Sequence, residues 1–61
     1  MTLQEEMLEF RAKHNMSQEI ASQMAKVSLF TWNQVELGKQ TPHRMTEIKI
    51  RNVMKEVAEE S

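Results

Sequence analysis

Apolar residues recur at helical spacing along most of the chain and divide it into four segments. The first segment carries a stripe made of Leu3, Met7, Leu8 and Phe10. This spacing predicts a helix from about Thr2 to His14. Thr2 and Glu5 have the spacing of a capping box, which favours a helix start at this point. Asn15 adopts left-handed backbone more readily than most residues, so we expect the helix to end there.

Two shorter helices are predicted in the middle of the chain. Ser17 is a candidate N-cap for a helix that reaches about Ala25. The apolar stripe of this helix is Ile20, Met24 and Val27, with Ala21 and Ala25 beside it. Ser28 is the next candidate cap, for a helix from about Leu29 to Leu37. Gly38 follows as the glycine that ends a helix.

A long helical pattern follows the proline. Thr41 and Pro42 have the arrangement of an N-cap followed by proline at the first helical position, and a restart at Thr46 fits the pattern as well. We expect this helix to continue to about Ala58. Its apolar stripe consists of Ile50, Val53, Met54 and Val57, with Met45 and Ile48 ahead of them. Because the core needs only part of this stripe, Ile50, Met54 and Val57 form the candidate surface for a homodimer.

The composition favours an all-α fold. The 61 residues include one glycine and one proline, whereas sheets with hairpins need turn residues about every 8–12 positions. We therefore predict a single domain, residues 1–61, built as a compact bundle of four to five helices. No apolar run approaches the length of a membrane span, which indicates a cytoplasmic protein.

Several kinds of chemistry have no support in the sequence. Cysteine is absent, which excludes disulfides, thiolate metal sites and a cysteine nucleophile. The two histidines lack a third strong ligand, so we expect no metal and no cofactor. The chain also offers no nucleophile–base pair, no glycine-rich phosphate loop and no convergent carboxylates. Together with the small size, these absences argue against an enzyme.

Charge is unevenly distributed along the chain. The chain has 8 Lys and Arg against 9 Asp and Glu, a formal net charge of −1, which argues weakly against nucleic-acid binding. Between Lys39 and Lys55, however, five basic residues accompany a single acidic residue, Glu47. The basic residues from Lys39 to Lys49, joined by Lys26, form either a phosphate-facing patch or a solvated helix face.

Several short motifs occur together in one register. They are Phe10-Arg11, Met16-Ser17-Gln18-Glu19, Val27-Ser28, Thr31-Trp32, Val35-Glu36, Gly38-Lys39 and Pro42. In this order and spacing they resemble the Cro/repressor (Xre-type) helix-turn-helix family of small DNA-binding regulators of phages and mobile elements. The resemblance implies a helix-turn-helix made of helix two, about residues 17–25, and a recognition helix, about residues 29–37, that lies in the DNA major groove.

The resemblance also implies roles for individual residues. Gln18 holds the position of a glutamine that binds a phosphate and braces the recognition helix. The residues that would face bases are Leu29, Phe30 and Gln34, and those at positions that commonly touch phosphates or neighbouring base edges are Thr31, Asn33 and Lys39. Apart from the resemblance, we also expect Ser28, Thr41, His43 and Arg44 at the DNA interface, with His43 and Arg44 near phosphates. Arg11 and Glu36 correspond to a structural ion pair of the family.

The sequence departs from the family pattern in helix two. Relatives carry a leucine-alanine pair and a turn glycine where this chain has Ala21, Ser22 and Lys26. Either helix two is rotated, or the turn is one residue longer. Relatives also follow the proline with two short helices, whereas this chain shows one long helical pattern.

Leu29 and Phe30 are apolar where most relatives carry polar residues. Such side chains can contact the thymine methyl group, form a patch for another protein, or fold back into the core. Trp32 and Val35 are expected in the core, because they occupy the opposite face of the same helix.

From the sequence we expect a sequence-specific DNA-binding regulator of transcription, associated with the nucleoid, that acts as a homodimer on a pseudo-palindromic operator. The alternative is a protein-interaction module, an antirepressor or adaptor, that binds a protein through Leu29 and Phe30. Salt distinguishes the two, because DNA affinity falls steeply as salt rises whereas an apolar interface is almost insensitive to it.

Overall fold

The computed structural model describes residues 2–60, with side chains as far as residue 58. This part of the chain forms four α-helices and no strand: α1 (Leu3–His14), α2 (Gln18–Ala25), α3 (Leu29–Glu36) and α4 (Arg44–Glu60). The Cα radius of gyration is 10.3 Å. The prediction of a compact all-α fold is confirmed, and the helix count within residues 2–60 is four, because a single helix follows Pro42. None of the helices in this range is both long and apolar enough to cross a membrane.

Side chains at the helix starts satisfy backbone amides that have no partner within the helix. At α1 the Thr2 hydroxyl accepts a hydrogen bond from the Glu5 N–H at 3.2 Å, and the Glu5 carboxylate accepts one from the Thr2 N–H at 3.0 Å. These two bonds complete the predicted capping box. Ser17 and Ser28 cap α2 and α3 through backbone N–H groups three residues further on. All three helices therefore begin where the local sequence predicts.

Three helices end at a residue with left-handed backbone. These residues are Asn15, Lys26 and Gly38, with φ of 54°, 62° and 76°. Each ending has the paired backbone hydrogen bonds of a Schellman motif, for example from the Lys39 N–H to the Gln34 carbonyl at 2.9 Å. A Cβ atom on Gly38 would also lie 2.5 Å from Nε2 of Gln4, so a larger residue there would have to displace that side chain.

The start of α4 differs from the sequence prediction. The helix begins at Arg44, not at Pro42 or Thr46. Thr41 and Pro42 belong to the connection after Gly38, and Pro42 is half-buried beside a groove between the start of α1 and the end of α3. Since the helix begins two residues after Pro42, the predicted N-cap at Thr41 is wrong.

The core lies between the four helices. Its buried apolar side chains are Met7, Phe10, Ala21, Ala25, Trp32, Val35, Ile50 and Val53. Partly buried Leu3, Met16, Val27, Met54 and Val57 pack against them. Trp32 is the largest fully buried side chain, and Val35 lies on the same face of α3. The prediction that these two residues face inward is confirmed.

Helix α2 turns a different face to the core from the one its apolar stripe predicts. Ile20 and Met24 are 50% and 43% exposed. The buried residues of this helix are Ala21, Ser22 and Ala25. Small side chains allow α2 to lie close to its neighbours, and the Ser22 hydroxyl donates to the Glu19 carbonyl at 2.9 Å, which satisfies it. Because Ala21 and Ser22 are buried in place of Ile20 and Met24, helix two is rotated relative to the predicted stripe. Lys26 begins a link of three residues to α3.

The apolar stripe of α4 is used by the domain itself. Ile50 and Val53 belong to the core, and Met54 packs against it. Met45 and Ile48, at the start of the helix, are exposed. Because Ile50 is fully buried, it cannot form part of a surface between two copies, which corrects the sequence prediction for that residue.

Candidate nucleic-acid interface

The carboxylate of Glu36, in the last turn of α3, is buried and accepts hydrogen bonds from three side chains. Arg11 of α1 donates from Nε at 2.8 Å and from Nη2 to the other oxygen. Trp32 donates from Nε1 at 2.7 Å, and Gln18 at the start of α2 donates from Nε2 at 3.0 Å. One carboxylate therefore joins α1, α2 and α3, and the ion pair that the family resemblance implies is present.

Opposing effects act on the pKa of Glu36. Burial alone would raise the pKa of this carboxyl, but hydrogen bonds from Arg11, Gln18 and Trp32 and the charge of Arg11 hold it below its usual value. The pKa of Arg11 is raised, chiefly by its hydrogen bond to Glu36. Both groups are therefore charged near neutral pH. Since the Glu36 side chain is only 2% exposed, the pair is a structural support and does not present a site to a ligand.

From Glu36 the hydrogen-bond network continues to the outer side of α3. Oε1 of Gln18 accepts a hydrogen bond from Nδ2 of Asn33 at 3.0 Å. Oδ1 of Asn33 in turn accepts one from Nε2 of Gln34 at 3.3 Å. All three amide side chains are half-buried. Gln18 thus connects the start of α2 to the middle of α3 and fixes the two helices relative to each other.

Leu29 and Phe30 are exposed at the start of α3, at 47% and 61%. Neither folds back into the core, so that alternative is wrong for both residues. The hydroxyl of Ser28 accepts a hydrogen bond from the Thr31 N–H at 3.0 Å and donates to Oγ1 of Thr31 at 2.8 Å. The first turn of α3 therefore presents two apolar side chains next to hydroxyl groups that bond to each other.

The remaining predicted site residues lie in the connection after α3 and at the start of α4. Lys39, Thr41, His43 and Arg44 are all exposed. Lys39 lies directly behind the end of α3, where its backbone N–H bonds to the Gln34 carbonyl. Within the part of the chain that the structure describes, the side chains of these residues make no hydrogen bond to the amide network of α2 and α3.

Ion pairing divides the basic residues into two groups. Arg51 donates to Glu47 at 2.8 Å and to Glu6 at 3.3 Å, and its pKa is raised chiefly by the bond to Glu47. Its charge is therefore compensated within the domain. Among the side chains that the structure describes, no ion pair involves the exposed residues Lys13, Lys26, Lys39, Arg44, Lys49 and Lys55. These residues carry the positive charge that the surface offers to a partner.

Two features of this surface go beyond the sequence predictions. The indole N–H of Trp32 donates to Glu36, so this core residue is also part of the polar network. The spacing of four residues between them is the signal that could have indicated it. Leu37, seven residues after Phe30 and so on the same side of the helix, is 56% exposed. The outer side of α3 therefore carries more apolar surface than Leu29 and Phe30 alone.

Among the described residues, no three His, Asp or Glu side chains lie close enough together to hold a metal ion. No family model, curated protein or solved structure matches this chain.

Proposed function

We propose that the protein is a sequence-specific DNA-binding regulator of transcription, in which α2, the link 26–28 and α3 act as a helix-turn-helix. Helix α3 would lie in the major groove with its first residues at the base edges. The hydrogen bond between Gln18 and Asn33 is the observation that carries this proposal. Readout of bases requires side chains in fixed positions, and this bond, supported by Glu36 and Arg11, holds α3 against α2.

Under this proposal some polar residues contact bases and others contact phosphates. Gln34 lies in the middle of α3, and a glutamine amide can bond the edge of adenine at two atoms. Gln18 would contact a phosphate at the start of α2, as helix N-termini commonly do. Lys39 and Arg44, exposed behind the end of α3, would bind further phosphates and set the position of the domain on the duplex.

A homodimer on a pseudo-palindromic operator is the proposed working form. A single module of this kind buries roughly 600–1,000 Å² of protein surface on DNA. Two copies add their binding energies when the operator repeats the half-site with two-fold symmetry. The α4 edge at Met54, which is only partly buried in its own domain, is the proposed contact between the copies.

Selection from a pool of random DNA duplexes tests the proposal. Sequencing of the retained duplexes should give a motif with two-fold symmetry. Affinity for that motif should fall with salt, and a dimer that uses Lys39 and Arg44 in each copy would neutralise about four phosphates, for a log–log slope of about −3 to −4. Folded protein that enriches no motif would contradict the proposal.

A protein-interaction module is the second candidate, and the exposed apolar side chains of Leu29, Phe30 and Leu37 favour it. The formal net charge of −1 favours it too, since DNA-binding domains are usually basic. In this case α3 would bind another protein, as in an antirepressor or adaptor. Such a complex would persist at high salt, whereas a DNA complex would dissociate.

A further inference from the structure

The first turn of α3 presents apolar side chains to any molecule that binds there. Leu29 and Phe30 are exposed there, side by side in the first turn. The polar groups around them are already bonded, because the Ser28 hydroxyl accepts from the Thr31 backbone and donates to the Thr31 hydroxyl. The Ser28 hydroxyl could donate to a base only if it gave up its bond to Thr31.

The next polar side chain along α3 is engaged as well. Asn33 lies one turn after Leu29, its nitrogen donates to Gln18 and its oxygen accepts from Gln34. Were Asn33 to turn towards a base, α2 and α3 would lose one of the two bonds by which Gln18 connects them. Leu29 and Phe30, in contrast, can meet a base edge at the start of α3 without any such loss.

The major groove contains an apolar group that these side chains can recognise. Thymine carries a C5-methyl group at the groove edge, whereas the other features of base edges there are hydrogen-bond donors and acceptors. A recognition helix whose N-terminal residues lie at the base edges brings its first turn close to the thymine methyl groups. Apolar contact with the thymine methyl group therefore suits the exposed aromatic and aliphatic side chains of this turn.

Resting on the proposed DNA-binding function, we propose that Phe30, together with Leu29, reads the C5-methyl groups of thymines in each operator half-site. Sequence preference at these positions then comes from burial of the methyl group against the side chain. Burial of one methyl-sized apolar group raises affinity about fourfold. Gln34 reads its own base by hydrogen bonds and is independent of this contact.

Replacement of thymine by uracil in the selected operator tests the inference. Uracil lacks the methyl group and keeps every hydrogen-bonding group of thymine. Each thymine is replaced singly in synthetic duplexes, and the dissociation constant is measured for the parent protein, Phe30→Ala and Leu29→Ala. We expect positions in each half-site at which replacement weakens parent binding about fourfold. At these positions the replacement should not further weaken the variant that has lost the contacting side chain.

Leu37→Ala is the matched control, because Leu37 is an exposed apolar residue at the other end of α3. This variant should keep the parent's response to uracil, and circular dichroism should show that all three variants fold, since each side chain is exposed. Tolerance of uracil at every position, or a response that persists in both Phe30→Ala and Leu29→Ala, would overturn methyl readout and leave DNA binding intact. Failure to select any operator would instead overturn the proposed function, and the methyl readout with it.

Discussion

Four donor groups bind the buried carboxylate of Glu36. The variant Glu36→Gln removes the negative charge of this side chain and keeps its shape. The variant keeps the side-chain volume but leaves the Arg11 guanidinium without a counter-charge. Removing one partner of a fully buried pair costs about 3–5 kcal/mol; because Arg11 is 23% exposed, we expect a loss of about 2–3 kcal/mol in the free energy of unfolding. Urea denaturation measures it, with Glu9→Gln on the exposed side of α1 as control. Equal losses in both variants would exclude a special role for Glu36.

The same carboxylate makes the stability depend on acid pH. The pKa of Glu36 in the folded protein lies below its ordinary value of 4.5. Its contribution to stability is therefore complete above about pH 4.5 and is lost as the pH falls through the folded-state pKa. The free energy of unfolding of the parent should fall in this range, and that of Glu36→Gln should fall less. Parallel curves for the two proteins would contradict this assignment.

Gln34→Ala tests base readout at a single residue. We expect the variant to lose about 1–3 kcal/mol of binding free energy on the selected operator and much less on random DNA, because only the operator presents the matching base. Titrations on both duplexes measure the difference. Gln23→Ala, on the exposed surface of α2, is the control and should bind as the parent does. Equal losses of Gln34→Ala on the two duplexes would show that Gln34 contacts only the DNA backbone.

Lys39→Ala tests phosphate contact. Lys39 is exposed directly after the end of α3, so removal of its ammonium group should weaken binding to all DNA sequences alike. The slope of log affinity against log salt concentration should become shallower by about one unit per copy. Lys13→Ala is the matched control, since Lys13 lies beside the groove between α1 and α4, away from α3. A slope that is the same for Lys39→Ala and the parent would remove Lys39 from the interface.

At the scale of the helices, local chemistry predicts where an element begins and ends. Thr2, Ser17 and Ser28 act as caps because hydroxyl and backbone groups three residues apart can satisfy each other without help from the rest of the fold. Gly38 ends α3 for an equally local reason, its tolerance of positive φ. The start of α4 was not predicted correctly: Thr41 and Pro42 lie beside a groove lined by residues of α1 and α3, which are distant in sequence.

The buried face of α2 could not be predicted from its apolar residues. Periodicity selects Ile20 and Met24, yet the structure buries the face with smaller side chains, because close approach of helices favours small residues over large ones. The contacts of the candidate site could not be predicted from local sequence patterns either. Arg11 and Glu36 are 25 residues apart, so their pairing was expected only from the family resemblance. The exposure of Leu29 depends on packing that no local pattern contains.

Lys26→Gly should stabilise the link between α2 and α3. Lys26 has a φ of 62°, in which a Cβ atom is strained, whereas glycine adopts this backbone freely. Glycine also loses more chain entropy on folding, so we expect a net gain of about 0.5–1 kcal/mol in the free energy of unfolding. Thermal unfolding measures it. Lys26→Ala removes the same charge but keeps Cβ and should show no gain, so an equal gain in both variants would point to charge and not to backbone strain.

At the scale of the whole molecule, the domain is so small that α4 has to supply both part of the core and any contact between two copies. A chain of about 60 residues buries only about 60% of the surface that its unfolded form exposes. The structure commits Ile50 and Val53 of α4 entirely to the core and leaves Met54 partly accessible at its edge. A second copy can therefore contact α4 only through the residues that the core leaves accessible, of which Met54 is one.

Met54→Asp and Met45→Asp together separate core packing from assembly. Met54 packs against the core, so we expect the charge to lower the free energy of unfolding by about 1–3 kcal/mol, whereas the same change at Met45, which is 65% exposed, should alter it by less than about 0.5 kcal/mol. If Met54 also contacts a second copy, sedimentation of the folded variant should show a monomer. Its affinity should then fall far more on the full operator than on one half-site, because the second half-site no longer contributes. A Met54→Asp protein with the parent's stability, oligomeric state and operator affinity would exclude Met54 from both the core and the contact between copies.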